Sequence, residues 1–164
     1  MNHPNPYACI VAKLERAGVT FKQHEHAPVR TSQEAATIRG TSIEEGAKAL
    51  VCHVDKSRYV LAVLSAAFQA DLPALRRKLG AKKLALASPE EVLRETGCEV
   101  GGVPPFGSCI GLMTYCDPSL RAHEHISFNA GLRTHSIVMR FVDYLAIEQP
   151  TVTPFAKQVP GAVQ

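Results

Sequence analysis

Residues 49–65 read ALVCHVDKSRYVLAVLS. Two apolar runs, 49–54 and 59–65, are separated by the polar tetrapeptide 55–58. Runs rich in valine and leucine that are divided by a short polar turn are typical of a β-hairpin. Because the two runs are apolar at almost every position, the hairpin is expected to lie at the centre of a sheet.

Helix and strand signals surround this hairpin. Side chains that cap helix N-termini predict three helices, which begin at Thr31 with Glu34, at Asp71, and at Ser88 with Glu91. Apolar periodicity predicts two more helices, at 5–17 and 141–147. Further strands are expected at 20–24, 84–87 (short and buried), 109–116, 124–129 and 135–140. This mixture of helices and strands indicates an α/β fold of the α+β type.

Length and composition indicate one ordinary globular domain. The chain has 164 residues, of which 46% are hydrophobic and 20% are charged, and it shows no internal repeat or linker. No apolar run approaches the ~20 residues that span a membrane, and the first residues lack a signal-peptide pattern, so a cytoplasmic protein is expected. We place the domain at 1–148 and interpret the proline-containing segment 149–164 as a loose surface tail.

Five cysteines are present, and no two of them have the CxxC spacing. An odd number of cysteines in a protein expected in the cytoplasm favours reduced, mostly buried thiols over a disulfide framework.

The segment Gly97-Cys98-Glu99-Val100-Gly101-Gly102-Val103-Pro104-Pro105-Phe106-Gly107 fits no regular element. Its glycines allow close approach to the main chain, and its prolines stiffen it. A stiff loop with exposed N–H groups can bind an anionic or carbonyl oxygen. A plain turn between two elements would have the same composition, so both interpretations stay open here.

Two basic features stand out. Lys48 lies between a helical turn and an apolar strand, where it could bind a phosphate or carboxylate or, equally, extend its ammonium to solvent. The sequences Arg76-Arg77-Lys78 and Lys82-Lys83 could form a phosphate-binding patch, although a solvated helix face explains them as well. The formal net charge of +3 is compatible with a polyanionic partner and does not require one.

Metal and nucleophile signals are weak. The sequences His24-Glu25-His26 and His123-Glu124-His125 each place two imidazoles on one face of a strand, so a zinc site is conceivable. No HExxH, GxSxG or phosphate-binding glycine motif accompanies them.

Four ordered motifs resemble the YbaK/ProX family of aminoacyl-tRNA deacylases, the free-standing relatives of the editing domain of prolyl-tRNA synthetases. The motifs are His26-Ala27-Pro28-Val29-Arg30-Thr31-Ser32-Gln33-Glu34-Ala35-Ala36, Gly46-Ala47-Lys48-Ala49-Leu50-Val51, Gly101-Gly102-Val103-Pro104-Pro105 and Ile126-Ser127-Phe128-Asn129-Ala130-Gly131. The resemblance covers roughly residues 8–148. It implies a single compact domain with a curved, mixed, mainly antiparallel sheet flanked by helices.

The resemblance also implies roles for individual residues. Lys48 would position the terminal ribose ester of the tRNA, and the N–H groups of Gly101 and Gly102 would stabilise the developing oxyanion. Substrate contacts are expected from a further set of residues: His26, Thr31, Pro105, Phe106, Asn129, Gly131 and Ser136. Capping of a helix is by itself enough to explain Thr31.

The implied activity is hydrolysis of mischarged aminoacyl-tRNA that carries a small amino acid of the Cys, Ala or Ser class, with tRNA(Pro) as the expected tRNA. The ester is already activated, so no protein nucleophile, metal or cofactor is expected. The expected partners are the acceptor end of aminoacyl-tRNA and, as a candidate, prolyl-tRNA synthetase, with no membrane or DNA. Two alternatives remain: a non-catalytic module that binds the acceptor end, and a metal-dependent hydrolase that uses the histidine pairs.

Overall fold

The computed structural model describes residues 4–159. Five α-helices are present among them: α1 (Pro6–Ala17), α2 (Ser32–Arg39), α3 (Leu72–Leu79), α4 (Pro89–Thr96) and α5 (Phe141–Glu148). The predicted caps are confirmed, since the side chains of Thr31, Asp71 and Ser88 each accept an N–H at the start of a helix. None of these helices is both long enough and apolar enough to cross a bilayer.

Ten strands form three sheets in the described residues. The strands are β1 (Phe21–Glu25), β2 (Ala47–Val54), β3 (Arg58–Ser65), β4 (Phe68–Ala70), β5 (Leu84–Leu86), β6 (Met113–Cys116), β7 (His125–Asn129), β8 (His135–Arg140), β9 (Thr151–Val152) and β10 (Ala156–Gln158). Their orders are β5-β2-β3-β6-β9, β1-β8-β7 and β10-β4. Only β3–β6 and β6–β9 pair in parallel, so the expected mixed, mainly antiparallel arrangement is confirmed.

The predicted hairpin forms the middle of the largest sheet. Strands β2 and β3 pair from Ala47 opposite Ser65 to Val54 opposite Arg58. One face of the hairpin packs into the larger core, through Val51 and neighbouring residues of β3, and the other face packs into a smaller core around Leu75 and Phe155. Burial on both faces explains why these strands are apolar at nearly every position.

The larger sheet meets the three-stranded sheet at one point. Gly46, immediately before β2, forms a parallel bridge with Ser127 of β7, and the N–H of Ser127 donates to the carbonyl of Glu45 at 2.9 Å. This contact brings the start of β2 beside the middle of β7, and α2 precedes β2 in the chain.

Two strand predictions need correction. Strand β5 forms where a short buried strand is predicted, but it lies at the sheet edge and Leu86 is 54% exposed. The strand predicted at 109–116 is only partly formed, because Gly107–Cys109 is a 3₁₀ turn and the strand begins at Met113. The N–H groups of Ile110 and Leu112 both donate to the carbonyl of Gly107, which favours a turn there.

The prediction of a loose tail is wrong for residues up to 159. Strand β9 pairs with β6, and β10 pairs with β4. The Asp117 carboxylate fixes this segment by accepting the N–H groups of Phe155 and Ala156 at 2.6 and 2.7 Å, and the Phe155 side chain is buried. Residues 160–164 of the predicted tail lie outside the described residues.

The prediction of reduced thiols is wrong for two of the five cysteines. Cys9 of α1 and Cys109 of the 3₁₀ turn form a disulfide, with their Cα atoms 5.9 Å apart. These residues are 100 positions apart in the sequence, so only the packing of α1 against the 3₁₀ turn brings them together. Cys52, Cys98 and Cys116 are free and buried, as expected.

Candidate functional site

A cavity of about 300 Å³ opens where the two sheets meet. Helix α2 and the chain before it form one wall, the first half of β2 forms a second, and the glycine-rich loop and the end of β7 close the rest. Four of the residues predicted for the site line the cavity: Thr31, Lys48, Gly101 and Asn129. The structure therefore brings together residues from all four sequence motifs. The later part of the glycine-rich loop, however, does not line the cavity.

The cavity is lined by positive charge. Arg30, Arg39 and Lys48 contribute to its wall, whereas no Asp or Glu of residues 4–159 does. Unopposed cations in a partly desolvated space attract anions more strongly than they would on an open surface. The cavity is therefore suited to a negatively charged ligand.

Lys48 is half-buried on β2. Its Nζ donates to the backbone carbonyl of Phe68 on β4, and the same burial lowers the pKa of the ammonium. No carboxylate among the described residues pairs with it. The Phe68 carbonyl occupies one of three N–H donors, so the others can reach a ligand.

Arg39, in the last turn of α2, is the centre of a hydrogen-bond network that the sequence did not indicate. Its Nε donates to Ser136 Oγ at 2.9 Å and its Nη2 donates to Asn129 Oδ1 at 2.7 Å. A longer contact of 3.4 Å joins Nη1 to Ser127 Oγ. Burial lowers the pKa of this guanidinium to about 10, and no described carboxylate pairs with it.

Ser136 and His26 form a pair behind the cavity wall. His26 Nδ1 lies 2.8 Å from the carbonyl oxygen of Ala27 and Nε2 lies 2.7 Å from Ser136 Oγ. Because a carbonyl can only accept, Nδ1 carries a hydrogen, and Nε2 forms the contact with the Ser136 hydroxyl. Ser136 is fully buried and does not line the cavity. The pair supports Arg39 through Ser136 and lies outside the cavity lining, so its position does not support the predicted substrate contact of these two residues.

The glycine-rich loop contributes through Gly101 rather than Gly102. Gly101 has φ of +90° and its carbonyl accepts from Asn129 Nδ2, while its N–H donates to none of the described residues. Gly102 is buried, lies outside the cavity lining, and donates its N–H to the carbonyl of Glu99 at 2.9 Å. The turn uses the N–H of Gly102, so the position of this residue does not support the prediction that it offers an oxyanion donor.

Three further predicted contacts are structural. Phe106 is fully buried against Phe128 and Tyr144, and the carbonyl of Pro105 accepts the Tyr144 hydroxyl at 2.7 Å. Gly131 has φ of +94° and packs against α1, where a Cβ would lie 3.0 Å from Pro6 Cβ. None of the three lines the cavity, so the prediction that they contact substrate is not supported by their positions.

Thr31 combines both interpretations that the sequence left open. Its hydroxyl accepts the N–H of Glu34 at 3.1 Å as the cap of α2, and the residue also lines the cavity.

The histidine pairs do not form a metal centre in the described residues. No group of three or more His, Cys, Asp or Glu side chains of residues 4–159 is placed to hold a metal ion.

Sequence reasoning missed Arg30, Arg39 and Ser127 as site residues. Arg30 and Ser127 lie inside recognised motifs, and their position there was the available signal. A basic residue in the last turn of a helix, such as Arg39, is common because it complements the helix dipole. No local pattern distinguishes Arg39 from such residues.

Comparison with known proteins agrees with this geometry. A family model described as the aminoacyl-tRNA editing domain matches residues 26–147. The chain is 39% identical over 152 residues to the multifunctional Ser/Thr-tRNA deacylase ProXp-y of Escherichia coli (strain K12), a match that covers 90% of this chain and 91% of that protein. It is 30% identical over 99 residues to the prolyl-tRNA editing protein ProX of Acetoanaerobium sticklandii, which covers 60% of each.

A solved structure gives the same result. A protein described as a candidate trans-editing enzyme for prolyl-tRNA synthetase superposes with a TM-score of 0.81 at 28% identity, over 95% of this chain and 99% of that one. The resemblance to the YbaK/ProX family is thereby confirmed. The chain belongs to the aminoacyl-tRNA editing domain family.

Proposed function

We propose that this protein hydrolyses the ester between a small amino acid and the terminal ribose of a mischarged tRNA. The observation that carries the proposal is the cavity in which Arg30, Arg39 and Lys48 meet without an opposing carboxylate. A tRNA 3′ end supplies phosphates for these cations and an ester carbonyl for the loop. The names of the two curated relatives support the same chemistry.

Lys48 and Arg39 have different roles at the site: one binds the substrate and the other positions the loop. The Lys48 ammonium, free of any described carboxylate, binds a phosphate of the terminal nucleotide or orients the ester. The guanidinium of Arg39 fixes the side-chain oxygen of Asn129 at 2.7 Å, and the Asn129 amide in turn donates to the carbonyl of Gly101. Arg39 thus positions the loop against the substrate.

The reaction needs no protein nucleophile. A water oxygen attacks the ester carbonyl, the bond between the acyl carbon and the ribose oxygen breaks, and the ribose hydroxyl leaves with the proton that the water gives up. The N–H of Gly101 stabilises the negative charge that develops on the carbonyl oxygen. This proton passes from the attacking water to the leaving ribose oxygen, either directly or through the neighbouring ribose hydroxyl.

The cavity favours a small amino acid. Its volume of about 300 Å³ is at the lower end of the range for ligand sites, and alanines 35, 36, 47 and 49 line it. Ser127 and Asn129 add polar groups that can bond a substrate hydroxyl. Among Cys, Ala and Ser, serine is therefore the amino acid that we expect the cavity to favour, in agreement with the name of the Escherichia coli relative.

The test is deacylation of a panel of Ser-, Thr-, Ala- and Cys-charged tRNA(Pro), with Pro-tRNA(Pro) as the cognate control. Wild type, Lys48→Ala and Lys22→Ala are compared, each with and without EDTA. Lys22 is an exposed lysine on β1 that lies outside the cavity, so its variant controls for loss of a charge. We expect hydrolysis of small misacylated esters by wild type and Lys22→Ala, with loss in Lys48→Ala and no effect of EDTA.

The other outcomes have distinct meanings. Binding of tRNA without hydrolysis of any ester contradicts the proposal and supports a binding module for the acceptor end. Activity that EDTA removes supports a metal-dependent hydrolase. Equal activity of wild type and Lys48→Ala refutes the role of the lysine.

A further inference from the structure

A second basic surface lies at the far end of the central hairpin. A groove is formed there by the hairpin turn at 54–58 and the loop from α3 to β5 at 79–83. We call this surface the basic tip, and its cationic members are Lys56, Arg58, Arg77, Lys78, Lys82 and Lys83. All six are exposed, and the last turn of α3 carries two of them.

The two segments of the basic tip are held together. Asp55 Oδ1 accepts the backbone N–H groups of Lys82 and Lys83, each at 2.9 Å, and the Asp55 N–H donates to the Lys83 carbonyl at 3.0 Å. These bonds use backbone atoms of the lysines and leave their ammonium groups free to point outward. The basic tip is thus a preformed arrangement of charges rather than two independent loops.

The six cations of the basic tip outnumber the single acidic residue of the groove, Asp55. The three salt bridges of residues 4–159 involve none of these six cations. Asp55, the acidic residue of the groove, is bonded to backbone N–H groups, and the N–H of Lys83, together with the nearby charges of Arg58 and Lys82, lowers the pKa of its carboxyl. A polyanion can therefore bind here without breaking a salt bridge among the described residues.

The groove lining favours a helical phosphate backbone over single-stranded nucleic acid. Proteins that bind single strands stack bases on aromatic side chains, and no aromatic residue lines this groove. Recognition of double-helical RNA relies on its shape and on phosphate contacts. Such a surface matches the chemistry of an RNA duplex.

The position of the basic tip fits a single RNA that also reaches the cavity. Lys48 in the cavity and Val54 at the tip both lie on β2, six residues apart, which is about 20 Å of extended strand. An RNA with a single-stranded end of several nucleotides can place that end in the cavity and its helical part at this distance.

We propose that the basic tip binds the phosphate backbone of the double-helical acceptor stem of the tRNA whose 3′ end occupies the cavity. This inference rests on the proposed function for the identity of the RNA. The surface supplies affinity that does not depend on sequence, while the cavity reads the amino acid.

The test compares the variant Lys82→Gln/Lys83→Gln with the control Lys13→Gln/Lys22→Gln, which removes the same charge from α1 and β1. Binding of uncharged tRNA(Pro) is measured by fluorescence anisotropy over a range of salt. We expect about tenfold weaker binding at 0.1 M salt for the Lys82/Lys83 variant, and a salt slope smaller by about 2. The control should match wild type.

A second measurement separates this proposal from the proposed function. The same proteins are given a seryl ester on tRNA and on adenosine alone. We expect the Lys82/Lys83 variant to raise KM for the tRNA ester and leave hydrolysis of the adenosine ester unchanged. If no protein hydrolyses either ester, the proposed function fails while the binding comparison still tests the surface.

Two results overturn the proposal. One is equal tRNA binding by the Lys82/Lys83 variant and wild type, and the other is an equal loss in both double variants. An RNA hairpin and a single-stranded RNA of the same length complete the comparison. If the Lys82/Lys83 variant loses affinity only for the single strand, the assignment to a helical backbone is wrong.

Discussion

The disulfide between Cys9 and Cys109 should account for a large share of the stability of this protein. It closes a loop of 100 residues, and in the chain-entropy description a loop of that length stabilises the folded state by about 4.7 kcal/mol. Reduction, or the variant Cys9→Ser/Cys109→Ser, should therefore lower the free energy of unfolding by about 4 to 5 kcal/mol. For a chain of this size the midpoint of thermal unfolding should fall by about 10 to 15 °C.

Urea unfolding with and without a reductant measures this effect. Wild type should lose stability and show a larger m-value when reduced, since its unfolded chain becomes less compact. The double variant should have the same unfolding midpoint as reduced wild type, and that midpoint should not change when reductant is added. Neither cysteine lines the cavity, so deacylation at 25 °C should be unchanged. An oxidised wild type whose unfolding midpoint does not respond to reductant would refute the reasoning.

Three residues give further predictions. Arg39→Met should lower kcat/KM for deacylation by about 10- to 100-fold, because Asn129 and the glycine-rich loop lose their positioning. Arg39→Lys should not restore kcat/KM, since one ammonium cannot replace the planar guanidinium with its several N–H donors. Steady-state kinetics of the two variants checks both expectations. Burial lowers the pKa of Arg39 to about 10 and also lowers the pKa of Lys48. The affinity of the cavity for adenosine 5′-phosphate should therefore fall as pH rises through about 10, and calorimetric titrations of Arg39→Met should retain only the part of this fall that comes from Lys48. Gly101→Ala should reduce deacylation and destabilise the fold by about 1 to 2 kcal/mol, because φ is +90° there and L-residues disfavour that conformation. A Cβ at this position would lie 3.8 Å from Arg133, so steric overlap would not add to the loss. Chemical denaturation that shows no loss of stability would contradict the strain argument. Asp117→Ala should cost roughly 3 to 5 kcal/mol in urea unfolding, because its carboxylate accepts the N–H groups of Ser119, Phe155 and Ala156, which would remain without an acceptor.

Local signals predicted the elements whose causes are local. The caps at Thr31, Asp71 and Ser88 bond N–H groups three residues ahead, so a short stretch of sequence contains the whole interaction. The central hairpin is likewise defined by two adjacent runs and the turn between them.

Features that depend on distant partners were missed or misassigned. Strands β9 and β10 have two and three residues. They exist because β6 pairs with β9, while β4 and the Asp117 carboxylate supply hydrogen-bond partners around β10. Arg39 acquires its role from three side chains about 90 positions further along the chain. Phe106 was assigned to substrate by its motif, although its ring is part of the core.

The pairing of β10 with β4 has a consequence for how the protein is made. The backbone carbonyl of Phe68 on β4 accepts a hydrogen bond from the Lys48 ammonium, and Phe68 pairs with Gln158 of β10. A ribosome releases the chain from the N-terminus, and domains fold as their parts become available. Lys48 and Phe68 emerge long before their last supporting strand does. We therefore expect the growing chain to acquire hydrolytic competence only after β10 has left the ribosome and paired with β4.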